Sequence, residues 1–117
     1  MIQGTTSSAG KSFICTGLCR IFKEDGYKVA PFKSQNMSSK FYETEEGYKM
    51  STAQALQAKA AGIKPNPNMN PILLIPNSDK GSDVIIKGKF YNRMEALEYF
   101  TYKDELKPMI KEAYKNL

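Results

Sequence analysis

Gly4-Thr5-Thr6-Ser7-Ser8-Ala9-Gly10-Lys11-Ser12 is the stretch that decides how this chain is read. The apolar pair Met1-Ile2 precedes it as the stub of a strand. Phe13-Ile14-Cys15-Thr16-Gly17-Leu18 follows it with helical character. Strand, glycine-bounded loop, Gly-Lys-Ser and helix make the arrangement of a phosphate-binding loop. Gly4 and Gly10 let the backbone curl so that successive N–H groups point inward and form an anion nest. Thr5, Thr6, Ser7, Ser8 and Ala9 supply the intervening N–H groups. The helix that begins near Lys11 adds its positive end. Lys11 is placed to reach the β- and γ-phosphates of ATP, and the Ser12 hydroxyl to ligate Mg2+. Five residues separate Gly4 from Gly10-Lys11 where the common form has four. The plain alternative is a Ser/Thr-rich turn in which Ser7 or Ser8 caps a helix.

Working outward, 117 residues are one domain at most, and a hydrophobic content of 41% is that of a globular chain. Mononucleotide-binding α/β domains need more strands than this length supplies, so the sheet is expected to be incomplete within it. The net charge of +5 suits a polyanionic ligand. The lysines are scattered at helical-surface spacing, which argues for solvated faces over a nucleic-acid patch. Cys15 and Cys19 lie inside the first helix and read as small buried apolar residues in a reducing, cytoplasmic setting. Histidine is absent, so no His-dependent triad or glutaminase site can be assembled from these residues. No apolar run reaches membrane length, and no membrane partner is expected.

The first helix is predicted over 11–25, with Ile14, Leu18, Ile21 and Phe22 as its buried stripe and Gly26 ending it. A second strand is expected at Lys28-Val29-Ala30-Pro31-Phe32, parallel to the first. Lys33-Ser34-Gln35-Asn36-Met37-Ser38 then falls at a strand's carboxyl end, where open parallel sheets bind ligands. There Lys33 could touch a phosphate or a substrate carboxylate, and Gln35 and Asn36 an amide or carboxyl group. A plain loop with a surface lysine is the alternative. Residues 39–49 read as an exposed, mobile loop. Ser51 to Gly62 is the clearest helix, and Gln54 and Gln57 on one flank face either the site or solvent. Ile72-Leu73-Leu74-Ile75 is a continuously apolar strand, as buried parallel strands are. A loop over 76–82 and a strand over 83–88 follow, then helical pattern from Arg93 to Leu117, with Pro108 in the first turn of a last helix. These elements predict an α/β fold: a P-loop NTPase-type three-layer sandwich on a mostly parallel sheet.

Several of these stretches carry a resemblance. Gln3 to Ser12, Leu18-Cys19-Arg20-Ile21-Phe22, Ala30 to Ser38, Ala53-Gln54-Ala55-Leu56-Gln57-Ala58 and Met69-Asn70-Pro71-Ile72-Leu73-Leu74 resemble the N-terminal part of the cobyric acid synthase family. Those are glutamine-dependent amidotransferases of cobalamin biosynthesis. The wider group, with cobyrinic acid diamide synthase and dethiobiotin synthetase, shares the five-residue loop spacing. The resemblance implies an ATP- and Mg2+-dependent ligase. It would activate peripheral carboxylates of adenosylcobyrinic acid a,c-diamide, as acyl phosphates, for attack by glutamine-derived ammonia. It further implies that Lys11 and Lys33 are catalytic, with Lys33 between γ-phosphate and substrate carboxylate. Gln35 and Asn36 would contact the corrinoid side chains. A glutaminase domain is the implied partner within the parent chain. Two departures stand near the expected site: Lys49-Met50-Ser51-Thr52 where the family has an acidic residue and a Gly-Arg pair, and Ile75 where it has lysine. They keep open an inactive remnant. A nucleotide-dependent switch like the partition and septum-site ATPases is the other alternative, although Thr5–Ala9 lack the extra lysine of those proteins.

Overall fold

A computed structural model describes residues 1–77 and 80–117. The loop expected over 76–82 therefore lies partly outside the described residues. The order of elements is α1 (Lys11–Glu24), β1 (Gln35–Met37), β2 (Phe41–Glu43), β3 (Lys49–Ser51), α2 (Thr52–Ala60), β4 (Ile72–Pro76), β5 (Ser82–Ile86), β6 (Lys89–Met94), α3 (Ala96–Tyr102) and α4 (Lys107–Lys115). Short 3-10 turns occupy Pro67–Met69 and Lys103–Leu106.

The main sheet runs β1-β4-β5-β6. β4 is its centre because Ile72, Leu73 and Leu74 are apolar on both faces and all three are buried. β1 pairs with β4 in parallel, Gln35 opposite Ile72. β5 and β6 are antiparallel additions, so the sheet is mixed. One face, carrying Ile72, Leu74 and Val84, packs under Tyr99 of α3, Leu106, and Met109 and Ile110 of α4. On the other side, the β2–β3 hairpin and α2 bury Met50, Ala55, Ala58 and Met69. α1 lies against α2.

Four sequence expectations change. Met1–Gln3 and Lys28–Phe32 form no strand: neither segment has a ladder partner among the described residues, and strand pairing begins at Gln35. The 39–49 segment is a hairpin. Thr44 N–H donates to the Tyr48 carbonyl at 2.8 Å, and Gly47 takes a φ of 82° at the turn. β6 is an edge strand. It is reached by a two-residue turn at Lys87 (φ 46°) and Gly88 (φ 81°), the left-handed pair that a tight hairpin needs. Helix therefore starts at Ala96, three residues later than Arg93. Finally, the α1 stripe is largely uncovered: Ile14, Ile21 and Phe22 stay exposed, and only Cys19 is buried. The prediction for α4 holds, with Pro108 in its first turn.

Candidate nucleotide-binding site

The glycine-bounded loop wraps around its own lysine. Lys11 Nζ donates to the Thr6 carbonyl at 3.0 Å. A Cβ on Gly4 would stand 3.0 Å from Lys11 Cδ and 3.1 Å from Nζ, so a residue without a side chain lets the lysine lie back over the loop. Gly10 turns the chain with φ 89° and ψ 14°, a left-handed conformation that glycine adopts without strain. Its carbonyl accepts the Ile14 N–H at 3.0 Å, the first bond of α1. No acidic residue sits in the first turn of α1, so the positive helix end is left for a ligand to neutralise. Thr5 to Gly10 are all exposed.

α2 lies beside this loop and holds it. Gln57 Nε2 donates to the Ser12 carbonyl at 3.2 Å, and Gln54 Nε2 donates to Gln57 Oε1 at 3.3 Å. Both glutamines are buried, which resolves the two placements left open by sequence. Lys33 approaches from the segment before β1. Its backbone N–H donates to the Met69 carbonyl, and its Nζ donates to Asn36 Oδ1 at 3.0 Å. Asn36 Nδ2 donates in turn to Ser51 Oγ at 2.6 Å. The Ser51 hydroxyl thus serves Asn36 and makes no side-chain cap on α2.

One cavity of about 710 Å³ collects Lys11, Ser12, Lys33, Gln54 and Gln57. Its remaining wall is largely apolar and includes Cys15, Leu18, Phe22 and Phe32. Burial pushes the Cys19 thiol on that wall upward, which keeps it a neutral packing group. Gln35 is not in this cavity. It points to the opposite face of β1, accepts a hydrogen bond from the Tyr99 hydroxyl, and lines a second cavity of about 450 Å³ with Leu74, Lys80 and Lys103. Burial raises the Tyr99 hydroxyl's pKa, so it stays a donor there.

Asn70 was not singled out from sequence and is the junction of the site. At 1% exposure, its Nδ2 donates to the carbonyls of Lys33 and Ile72 and its Oδ1 accepts the Ser51 N–H. An asparagine between Met69 and Pro71 reads as loop punctuation. Only the fold shows that it ties three segments together. Of the two departures, Lys49 lies on β3 with its ammonium 4.8 Å from the centre of the Phe41 ring. Ile75 sits in β4 opposite Asp83.

The chain matches the CobQ/CobB/MinD/ParA nucleotide binding domain over residues 1–110. It belongs to that family. The nucleotide-binding domain is also similar to curated relatives named cobyric acid synthase. It is 60% identical over 114 residues to that of Caldanaerobacter subterraneus subsp. tengcongensis, covering 97% of the chain and 22% of the relative. It is 60% identical over all 117 residues to that of Lachnoclostridium phytofermentans, covering 23% of the relative. The Streptococcus sanguinis protein is 53% identical over the same 117 residues, again 23% of its length. The chain therefore spans just under a quarter of the length of the relatives it matches. No solved structure matches it.

Among the described residues, no cluster of acidic, Cys or His side chains forms a metal cage. The residues fit a hydrated magnesium through one hard oxygen, the hydroxyl of Ser12 in this cavity. No helix among them is long and apolar enough to cross a membrane.

Proposed function

We propose that residues 1–117 supply the ATP-binding part of a cobyric acid synthase, a ligase of the cytoplasm. The observation that carries the reading is the convergence of Lys11, Ser12 and Lys33 on one cavity at the positive end of α1. The parent reaction is amidation of peripheral carboxylates of adenosylcobyrinic acid a,c-diamide with ammonia from glutamine. A glutaminase domain elsewhere in the parent chain releases that ammonia.

ATP and Mg2+ supply an activated phosphoryl group and the charge to neutralise it. The chain's residues then do mostly positioning and electrostatics. Lys11, released from the Thr6 carbonyl, exchanges a neutral acceptor for phosphate oxygens, a stronger charge-assisted bond. Ser12 offers its hydroxyl to the cation. Lys33 offers its ammonium between the phosphate and a substrate carboxylate, and Asn36 and Asn70 fix where that ammonium starts from. Asn36 and Gln35 stand on opposite faces of β1, so their substrate contacts fall in different places. Asn36 serves the Lys33 side, and Gln35 the second cavity, where Lys80 and Lys103 can meet carboxylates.

The test uses the full-length protein carrying these residues. ADP release in the presence of Mg2+, ATP and ammonia should depend on added corrinoid diamide, and Lys33→Ala should abolish that dependence while ATP still binds. Release of ADP at the same rate with and without the corrinoid would overturn the assignment.

A further inference from the structure

The second cavity, of about 450 Å³, lies toward the carboxyl ends of the parallel pair β1 and β4. Met37 is the last residue of β1, and Asn77 follows the last residue of β4. Parallel strands of α/β sheets take their ligands at that end. Much of the wall is apolar: Leu74 and Val84 are buried there, while Met37 and Phe100 stay exposed. Its charged groups have one sign. Lys80 and Lys103 line it, and among the described residues no Asp or Glu does. The Lys103 ammonium stands 3.7 Å from the centre of the Phe100 ring, and the adjacent Asp104 is held by Lys107 at 2.9 Å. A ring face holds a cation less strongly than a carboxylate does, so Lys103 has a stronger partner to gain. Gln35 lines the same cavity. Its Oε1 accepts the Tyr99 hydroxyl, which leaves its amide nitrogen as a donor.

Water would satisfy either ammonium, but it does not satisfy the exposed apolar wall beside them. A carboxylate carried on an apolar body matches both, and a concave apolar site with a few convergent polar groups is how small molecules are held. The carboxylate accepts from Lys103 and from the Gln35 amide. A carboxamide in its place carries no charge and turns N–H groups toward donors. We propose that this cavity is a second substrate subsite, one that holds a peripheral carboxylate of the corrinoid and rejects the corresponding carboxamide, with Lys103 reading the charge and Gln35 supplying a neutral donor. The inference rests on the ligase reading above and deepens it. Each carboxylate converted to an amide removes a group that this cavity can hold. The grip on the corrinoid therefore weakens as the reaction advances, and the amidated product leaves.

The test is calorimetric titration of the full-length protein carrying these residues with two corrinoids, adenosylcobyrinic acid a,c-diamide and its amidated product, cobyric acid. Wild type should bind the diamide more tightly than the product. Lys103→Met, which keeps an unbranched side chain and removes the charge, should bind the diamide roughly tenfold more weakly and leave product affinity unchanged, so the preference narrows. Lys103→Arg, which keeps the charge, should keep the preference. Magnesium-ATP affinity, unaltered in both variants, reports that the fold is intact. Equal weakening of both corrinoids in Lys103→Met would overturn the proposal in favour of a packing role, and so would no change in either. Failure of wild type to bind the diamide at all, while it still binds ATP, would instead bring down the ligase reading, and this proposal with it.

Discussion

Asn70 Oδ1 accepts the Ser51 backbone N–H at 3.0 Å, across 19 residues of sequence. The bond joins the start of α2 to the entry of β4, and the same amide's nitrogen reaches the Lys33 carbonyl. One buried side chain thus sets the distance between the two segments that flank the cavity.

Replacing it should be severe. Asn70→Leu removes three hydrogen bonds, one from the Ser51 N–H and one to each of the Lys33 and Ile72 carbonyls, two of the three contacts being fully buried. Net losses of roughly 1 kcal/mol per bond predict a drop of about 2–4 kcal/mol in unfolding free energy. Urea denaturation measures it, and a change under 1 kcal/mol would show that the junction is not structural.

The Lys87-Gly88 turn gives a second prediction. Gly88 has a φ of 81°, and a Cβ there would lie 2.5 Å from Tyr48 Cβ and 2.9 Å from Pro67 Cγ. Gly88→Ala combines left-handed strain with a backbone-proximal clash and should cost about 2 kcal/mol or more. Gly17→Ala, with open space around it and helical backbone, should be neutral or slightly stabilising. Equal melting temperatures for the two variants would contradict this.

Asp83 supplies a pH dependence. The Arg93 guanidinium, 2.9 Å away, and the Asn77 amide hold its carboxyl below the usual carboxylate range. A depressed folded-state pKa contributes stability above the unfolded value of about 3.9, and that contribution disappears as pH falls through the folded value. The Arg93 side chain is 60% exposed and that of Asp83 29%, so solvent screens the pair and its share should stay under about 1 kcal/mol. Thermal melts from pH 6 to pH 3 should therefore fall slightly more steeply for wild type than for Asp83→Asn. Parallel curves would remove Asp83 from the account.

Much of the site was legible because its chemistry is local. Gly4–Ser12 specifies loop, helix start and lysine in consecutive residues, and Ile72–Ile75 announces a central strand by apolarity alone. Ser51–Gly62 reads as helix from alanine content and its flanking residues. What was not legible depends on distant partners. Lys28–Phe32 has a strand's composition but no ladder partner among the described residues, and the stripe of α1 has a helix's period but little to cover it. β6 escaped notice because an edge strand need not alternate: Lys89 to Arg93 are all exposed. Its turn is Lys-Gly, a weaker signal than Asn-Gly. The separation of Gln35 from Asn36 follows from strand pleating, which could be applied only once β1 was known to begin at Gln35.

The most direct measurement is magnesium-ATP binding, by titration calorimetry, to the full-length protein carrying these residues and to its Lys11→Ala variant. Lys11 now leans on the Thr6 carbonyl and is free to move to the phosphates. The account predicts micromolar-range binding by wild type and a loss of roughly 3–5 kcal/mol in the variant, more than a hundredfold in affinity. Unchanged affinity in Lys11→Ala would contradict the assignment of Gly4–Ser12 as the phosphate-binding loop.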